Sequence, residues 1–192
     1  MVWKLYALAV IVLGVSGIAA PSSAQEMPEQ FRGTVVNTQG GGTAWLTLHI
    51  DTYSPDEEVL GLAKVLTEKG QDGLQDAIWD LKERGWVRIG SSLGYPISVF
   101  RTRQTEKGRL IVALTDRPIQ FWEVFRSTRS RDYVFGMIVL EVDKNGKGEG
   151  KLLPAMQASI TGNGKVELKS LGTEPFKIMR VQQELPKKKA TK

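Results

Sequence analysis

The chain has 192 residues, of which 41% are hydrophobic and 24% charged, with a formal net charge of +5 at pH 7. This balance is typical of one globular domain with short appendages. The absence of cysteine excludes disulfides, thiolate-ligated metals and thiol catalysis, and the single histidine excludes a metal site built from several histidines. The sequence therefore predicts no metal site, no cofactor and no assignable catalytic residue.

The N-terminal segment has the three-part layout of a secretory signal peptide. Lys4 precedes an apolar stretch over residues 5–20, and small residues continue to Ala24, with a predicted cleavage before Gln25. As a helix the apolar stretch spans about 24 Å, less than the roughly 30 Å of a bilayer core, which argues against a retained anchor. We therefore expect residues 1–24 to be removed, leaving an exported protein, periplasmic or secreted, with no transmembrane segment.

The excess of positive charge lies at the two ends of the chain. Lys4 and the four lysines of residues 186–192 make up this excess, because residues 25–185 hold 21 basic and 21 acidic side chains. A nucleic-acid-binding domain carries its excess charge on the fold, so the sequence predicts no nucleic-acid partner. We expect a flexible segment at 25–30, a single β-rich domain at 31–185 and a flexible basic tail at 186–192.

The mature chain begins with two predicted strands. Residues 31–37 are suited to a strand, and the glycine-rich residues 39–42 turn the chain. Apolar and polar side chains then alternate over residues 45–51, which is the period of a half-buried strand. The two strands are expected to pair as a hairpin.

The period then changes to that of a helix. Ser54 and Glu57 form a capping box, with proline at the first helical position, and apolar residues follow at helical spacing as far as Gly70. A second helical unit begins at Asp72 and is predicted to end at Gly85. Residues 54–85 are therefore predicted to form an αα-hairpin.

The rest of the chain returns to strand patterns. Residues 117–132 form the one long connection, and Asn145-Gly146 and Asn163-Gly164 are pairs that two-residue hairpin turns demand. The predicted strands of this part lie at residues 86–90, 96–104, 109–116, 133–143, 152–160 and 166–181.

These elements predict an α+β fold that is mainly antiparallel β. Closing a sheet of about eight strands removes its exposed edges, so we favour a meander barrel or a strongly curled sheet with one inserted αα-hairpin. A two-sheet β-sandwich is the alternative. A parallel α/β fold would need a helix between most strands, and only one gap is long enough for that.

Five segments carry a resemblance that spans residues 31–180, and they lie at residues 53–58, 92–95, 115–119, 132–135 and 146–151. On these segments the chain is similar to a family of small exported bacterial proteins, known as hypothetical or putative secreted proteins. Tyr53 stands where the family pattern has tryptophan, and Val134 stands where it has proline. The resemblance implies export and a shared fold, and it implies no activity, ligand or catalytic residue.

Three motifs invite a chemical interpretation. Residues 90–94 match the nucleophile pattern G-x-S-x-G around Ser92, but a strand follows where that elbow requires a helix. His49 lies on the polar face of its strand with no nucleophile to serve. Residues 143–149 resemble a calcium loop in which a lysine occupies a ligand position. We interpret these three motifs as a turn, a half-exposed histidine and a hairpin turn.

Charge is unevenly distributed along the chain. Residues 51–83 hold nine acidic and three basic side chains, whereas residues 101–131 hold eight basic and three acidic ones. The two regions either face each other, lie solvated, or form an anion-binding surface in which arginine forks hold a carboxylate, phosphate or sulfated sugar. Arg101 and Arg103 share one strand face, and Arg109 is expected to oppose them across the hairpin. The candidate ligand-binding residues are Arg101, Arg103, Arg109, Tyr95 and Trp122.

Three functional hypotheses follow from these observations. The first is an exported non-catalytic β-rich domain with a binding or structural role in the cell envelope, whose partner is an anionic small molecule or an envelope component. The second is a barrel that carries an apolar or anionic molecule in its interior, with the three arginines near its mouth. The third is a hydrolase that uses carboxylates, the only plentiful acid–base groups of the chain.

Overall fold

The computed structural model describes residues 28–37, 41–119, 132–161, 166–170 and 174–184. These residues form ten strands and one helical element, α1 (Asp56–Trp79). The strands are β1 (Glu29–Val36), β2 (Thr43–Ile50), β3 (Gly85–Ile89), β4 (Tyr95–Ile97), β5 (Val99–Thr105), β6 (Gly108–Thr115), β7 (Phe135–Asp143), β8 (Lys147–Ile160), β9 (Val166–Ser170) and β10 (Phe176–Glu184).

All ten strands belong to one antiparallel sheet. Its order is β4-β3-β2-β1-β10-β8-β7-β6-β5, and β9 pairs with β8 beside this path. Two four-strand meanders, β1 to β4 and β5 to β8, therefore lie side by side with β10 between them. The end strands β4 and β5 are separated in the chain by Ser98 alone, so the sheet curls into a nearly closed barrel. The predicted antiparallel, barrel-like sheet is confirmed.

The structure has more strands than the sequence predicts, because two predicted strands are each divided. The segment 96–104 is interrupted at Ser98, and the segment 166–181 contains both β9 and the first part of β10. Strand β8 is long enough to serve both of these neighbours. Its first half pairs with β10 and its second half with β9.

The interior of the barrel is filled by apolar side chains from alternate positions of the strands. Phe31 of β1, Phe100 of β5 and Ile138 of β7 are among the fully buried members of this core. Alternation in a half-buried strand directs every second residue inwards, and the sequence of β2 follows this rule. The other interior residues include Leu46, Leu48, Ile50, Val87, Ile97, Ile111, Leu140, Leu152 and Ile178.

A second apolar core lies between α1 and the outer face of the sheet. The helix buries one stripe of side chains, Leu62, Leu66, Leu74 and Ile78. Against them pack residues of β7 and β8, including Met137 and Met156. Strand β7 therefore contributes to both cores, which explains why its sequence is apolar on both faces.

The N-terminus of α1 differs from its prediction. The helix begins at Asp56, Pro55 precedes it in an extended conformation, and no side chain caps it. Ser54 instead hydrogen-bonds strand β5: its N–H donates to Phe100 O at 2.8 Å, and its Oγ accepts from Phe100 N at 3.3 Å. The predicted capping box is wrong, because Ser54 satisfies the free edge of β5 rather than the helix. Three acidic side chains in the first turn still complement the helix dipole.

The helical region is one element with a break at Gly70, the residue at which the first helical unit was predicted to end. At Gly70 the backbone has φ 70° and ψ −163°, a conformation outside the helix that glycine adopts readily. The helix then continues to Trp79, and Gly85 is the first residue of β3. The prediction that Gly85 ends a helix is therefore wrong.

Two glutamines just after the break attach the second half of α1 to the sheet. Gln71 Oε1 accepts a hydrogen bond from Ala158 N in β8 at 3.1 Å. Gln75 Nε2 donates to Asp116 O, which follows β6, at 2.8 Å. These contacts hold the helix at a fixed position over β6 and β8.

A hairpin turn that contains Asn145-Gly146 is confirmed between β7 and β8, but its loop has three residues, 144–146, rather than the two predicted. Asp143 Oδ1 accepts backbone hydrogen bonds from Asn145 at 2.8 Å and Lys147 at 2.9 Å. The predicted turn at Asn163-Gly164, the signal peptide and the basic tail lie outside the described residues.

Candidate functional site

The three arginines predicted to cluster do not lie together. Arg101 and Arg103 share the outer face of β5, as expected, and Arg103 is exposed. The register of the hairpin pairs Arg109 with Gln104, so its side chain points to the opposite, inner face of the sheet. The prediction that Arg109 opposes the other two arginines is wrong, because a one-residue offset in register reverses the face.

The two aromatic candidates do not join the arginines in a described site. Tyr95 in β4 is partly buried and packs against the interior core. Trp122 lies outside the described residues.

Arg109 belongs to a buried polar cluster at one end of the barrel. Its Nη1 donates to Glu29 Oε1 at 3.0 Å, and its Nη2 donates to Gln183 Oε1 at 3.3 Å. The phenol of Tyr53 donates to the other oxygen of Glu29 at 2.7 Å. Because the Glu29 side chain is only 5% exposed and Arg109 16%, this ion pair is held inside the protein. Arg109 is therefore committed to a structural contact.

The same cluster raises the pKa of the Tyr53 phenol. Burial, and after it the negative charge of Glu29 and the hydrogen bond to it, hold the pKa of the Tyr53 phenol well above its usual value, while Arg109 acts in the opposite direction. The phenol therefore stays protonated and remains a donor to the carboxylate. The early start of β1 at Glu29, within the segment predicted to be flexible, is explained by this contact.

Arg101 lies at an apolar cavity between α1 and the outer face of the sheet. The cavity has a volume of about 100 Å³, and among the described residues Arg101 is the one charged residue that lines it. The other lining residues are Val59, Leu62, Ala63, Leu66, Leu74, Val99, Val112, Leu114, Phe135, Met137, Met156, Ala158, Val166 and Leu168. Sequence reasoning identified Arg101 but missed this cavity, because its walls come from a helix and several strands distant in sequence.

Arg101 makes an ion pair that can be exchanged. Its guanidinium contacts the carboxylate of Asp56, the first residue of α1. The Arg101 side chain is 29% exposed and that of Asp56 is 76% exposed. Ion pairs between exposed groups contribute little to stability, about 0–1 kcal/mol. An anion that reaches Arg101 from the cavity side therefore competes with Asp56 at small cost.

The cavity offers binding but no acid–base chemistry. Its described lining consists of hydrocarbon and thioether groups and one guanidinium, which can donate hydrogen bonds but not accept them. None of the described lining residues supplies a nucleophile or a general base. The site can therefore exclude water from an apolar group and hold an anion beside it.

The structure also describes the residues of the three motifs that invited a chemical interpretation. Ser92 Oγ accepts a hydrogen bond from Ile89 N at 3.2 Å in the turn after β3. The ring of His49 stacks on Trp86, with centroids 5.3 Å apart, and its Nε2 lies 3.1 Å from Asp51 Oδ1. Over the described ranges, no group of three or more acidic or histidine side chains is arranged to hold a metal ion.

The fold and the cavity define a barrel-like antiparallel β domain with a helix covering an apolar site on its outer wall. The chain has no significant match among protein-family models, curated proteins or solved structures. Among the residues that the structure describes, no helix has both the length and the apolar character needed to cross a membrane.

Proposed function

We propose that this chain is an exported, non-catalytic binding protein whose ligand is a small amphipathic anion. The alkyl part of the ligand occupies the cavity under α1, and its acidic group pairs with Arg101. The observation that carries the proposal is an apolar cavity of about 100 Å³ whose lining, in the part of the chain that the structure describes, has a single charged residue. Export, and membership of the family of small secreted proteins, are supported by the N-terminal sequence and by the five resembling segments.

The size of the cavity limits the ligand. Dry apolar cavities of about 150 Å³ accept a molecule as large as benzene, whereas pockets for drug-sized ligands reach about 300–1,000 Å³. A cavity of about 100 Å³ therefore suits a short alkyl chain. Burying four to five methylene groups contributes about 3–4 kcal/mol, and a charge-assisted hydrogen bond adds about 1.5–3 kcal/mol. The expected Kd lies between about 1 mM and 10 µM.

A ligand-binding site outside the barrel is favoured over one in the barrel interior. Phe31, Phe100 and Ile111 fill the interior and are completely buried. We therefore keep the hypothesis of a protein that binds a small ligand, but we propose its binding site on the outer wall of the barrel, beneath α1. In that location Arg101 is the only one of the three candidate arginines that lines the site.

The hydrolase hypothesis is weakened by the pairing of the buried and partly buried carboxylates. Glu29 contacts Arg109, Asp116 contacts Arg117 at 3.1 Å, and Glu58 contacts Arg84 at 2.6 Å. Hydrolysis by carboxylates needs one acid and one base facing a common cleft. Carboxylates that are each neutralised by an arginine, at separate places in the fold, do not supply such a pair.

Methionine methyl groups provide a direct test of the proposed site. Met137 and Met156 line the cavity, whereas Met179 is 47% exposed in β10. In protein labelled with ¹³C at the methionine methyls, hexanoate is expected to shift the Met137 and Met156 signals to saturation and to leave Met179 unchanged. Butanoate is expected to bind more weakly because it buries fewer methylene groups.

Matched variants separate the two parts of the site. Arg101→Gln is expected to weaken hexanoate binding about tenfold and to leave hexanol binding unchanged, because only the anion uses the guanidinium. Arg103→Gln, on the same face of β5 but outside the cavity lining, is the control. Ala63→Leu fills the cavity and is expected to abolish both. Titrations in which Met137 and Met156 fail to respond, or in which Met179 responds equally, would refute the proposal.

Export is tested separately from binding. Mass spectrometry of the protein recovered from the periplasm or medium of an expressing bacterium should give a mature N-terminus at Gln25. An intact chain that begins at Met1 and stays in the cytoplasm would contradict this part of the proposal and leave the binding site untouched.

A further inference from the structure

The outer face of β10, β1 and β2 lies on the side of the barrel away from the helix-covered strands. An open depression of about 530 Å³ lies on this face. Most of the residues that line it are polar or charged, and they are Arg32, Gly33, Thr34, Trp45, Leu46, Thr47, Arg180, Gln182 and Glu184. This composition differs from that of the apolar cavity under α1, so the depression is suited to a different kind of ligand.

An exposed tryptophan stands at this depression. Trp45 is 76% exposed, although tryptophan is among the largest apolar side chains. The register places Trp45 opposite Thr34, and on its other side Thr34 pairs with Met179, which is 47% exposed. A flat apolar surface beside hydroxyl groups is therefore presented to solvent, a feature that marks binding surfaces.

The same face carries guanidinium groups that the described chain does not fully neutralise. Arg32 pairs with Glu184, with 3.0 Å between Nε and Oε2, and its side chain remains 52% exposed. Arg88, in the neighbouring strand β3, lies over the ring of Trp86 at 5.3 Å. Arg180 has no ion pair with any described residue. The positive charge here is available to an anion in solution.

Arg180 also occupies an unfavourable backbone conformation. Its φ is 53°, in the left-handed region, at the point where β10 shifts register against both of its neighbours. Bulges that need this conformation usually carry glycine, because a side chain there is strained. An arginine at such a position, with no ion pair to any residue of the described ranges, points to a role for its side chain other than stability.

We infer that this face binds an acidic saccharide. The ring of Trp45 packs against the C–H face of a sugar, as amphipathic aromatic side chains do at binding surfaces. Arg180 and Arg32 hold the sugar carboxylate through their planar forks, and Thr34 and Gln182 meet the hydroxyl groups. A protein partner fits less well, because the centre of a protein interface is depleted of charge and more apolar than this lining.

A defined oligosaccharide tests the inference. Calorimetric titration with tetragalacturonate is expected to give saturable binding, and the fully methyl-esterified tetramer is expected to bind at least tenfold more weakly, because it keeps the rings and loses the charges. Trp45→Ala and Arg180→Gly should each weaken tetragalacturonate binding about tenfold or more. Trp79→Ala, which removes a tryptophan that is 64% exposed on α1, should leave it unchanged.

Two properties of the variants keep the test decisive. Arg180→Gly relieves the strained backbone, so it should raise the melting temperature by about 2–4 °C while weakening binding. Substituting Lys187, Lys188 and Lys189 by glutamine tests the basic tail, and binding is expected to persist in that variant.

Three results would overturn the inference. One is equal binding of the charged and esterified tetramers, and another is loss of binding in the tail variant alone. The third is the absence of tetragalacturonate binding, and a change of sedimentation in Trp45→Ala would then assign the face to a protein contact instead.

Discussion

The guanidinium of Arg109 and the carboxylate of Glu29 meet at 3.0 Å across the end of the barrel, although three strands separate β6 from β1 in the sheet order. The ion pair therefore joins opposite walls of the barrel rather than neighbouring strands. The phenol of Tyr53 completes it from the segment that follows β2. Four parts of the chain converge here, because Gln183 of β10 also contacts Arg109.

Removing the cation should leave a buried, uncompensated carboxylate. We expect Arg109→Met to lower the free energy of unfolding by about 3–5 kcal/mol, the usual cost of breaking a buried ion pair. Arg103→Met, on the outer, exposed face of the same hairpin, should change it by less than about 0.5 kcal/mol. Urea denaturation of both variants at pH 7 measures the difference. Equal effects of the two substitutions would show that the pair does not join the walls.

The raised pKa of Tyr53 predicts a loss of stability in alkali. Above pH 10 the phenol ionises in the unfolded chain and stays protonated in the fold, so the stability it contributes is complete below pH 10 and falls as the pH rises. Tyr53→Phe should be less stable than the wild type at pH 7, and the gap should narrow between pH 10 and 11. Denaturation of both proteins across this range isolates the contribution of the phenol to stability, because every other group is the same in the two proteins. A gap that stays constant would contradict the assignment.

The turn after β7 predicts that stability depends on pH in the opposite direction, so that stability is lost as the pH falls. The backbone N–H of Lys147, with further help from Asn145, holds the pKa of the Asp143 carboxyl below its usual value. Its contribution is therefore complete above the unfolded pKa, about 3.9, and is lost as the pH falls below that. Asp143→Ala should be destabilised by a constant amount from pH 5 to 8, and this difference should shrink below pH 4. Asp143→Asn, which keeps an acceptor but no charge, should be destabilised less than Asp143→Ala at pH 7, and its difference from the wild type should shrink over the same acidic range.

Two of the three glycines of α1, Gly61 and Gly70, should respond in opposite directions to substitution by alanine. Gly61 lies in the regular part of the helix with open space around it, so Gly61→Ala should stabilise the protein by about 0.5–1 kcal/mol. Gly70 also has open space, but its φ of 70° is strained for alanine. Gly70→Ala should destabilise by about 1–2 kcal/mol. Thermal unfolding of both variants tests these two predictions. Stabilisation by both substitutions would show that the break at Gly70 is absent in solution.

Local sequence patterns predicted the local parts of the fold. The turn at Asn145-Gly146 fixes its own hairpin, and the helical spacing from Val59 to Ile78 predicts a buried stripe on α1. Both depend on residues close in sequence. The position of β10 between β1 and β8 could not be predicted, because no local pattern specifies which distant strands become neighbours.

The candidate site was predicted only in part, because its geometry also depends on contacts between residues that are distant in sequence. Arg101 was identified from its charge, but its cavity is formed by a helix and by strands that only the tertiary fold brings together. Arg109 was placed on the wrong face because the exact register at Gly108 decides the direction of every following side chain. Ser54 looked like a helix cap because its true partner, Phe100, lies 46 residues further along the chain.

The pairing of the first strand with the last has a consequence for synthesis. Until residues 176–184 emerge, β1 and the first half of β8 each lack the hydrogen-bonding neighbour that joins the two meanders. A nascent polypeptide can therefore form separate halves, but it cannot assemble the complete wall before β10 has been synthesised. Chains cut short ahead of Phe176 would expose two unprotected edges at once, and such edges are templates for aggregation.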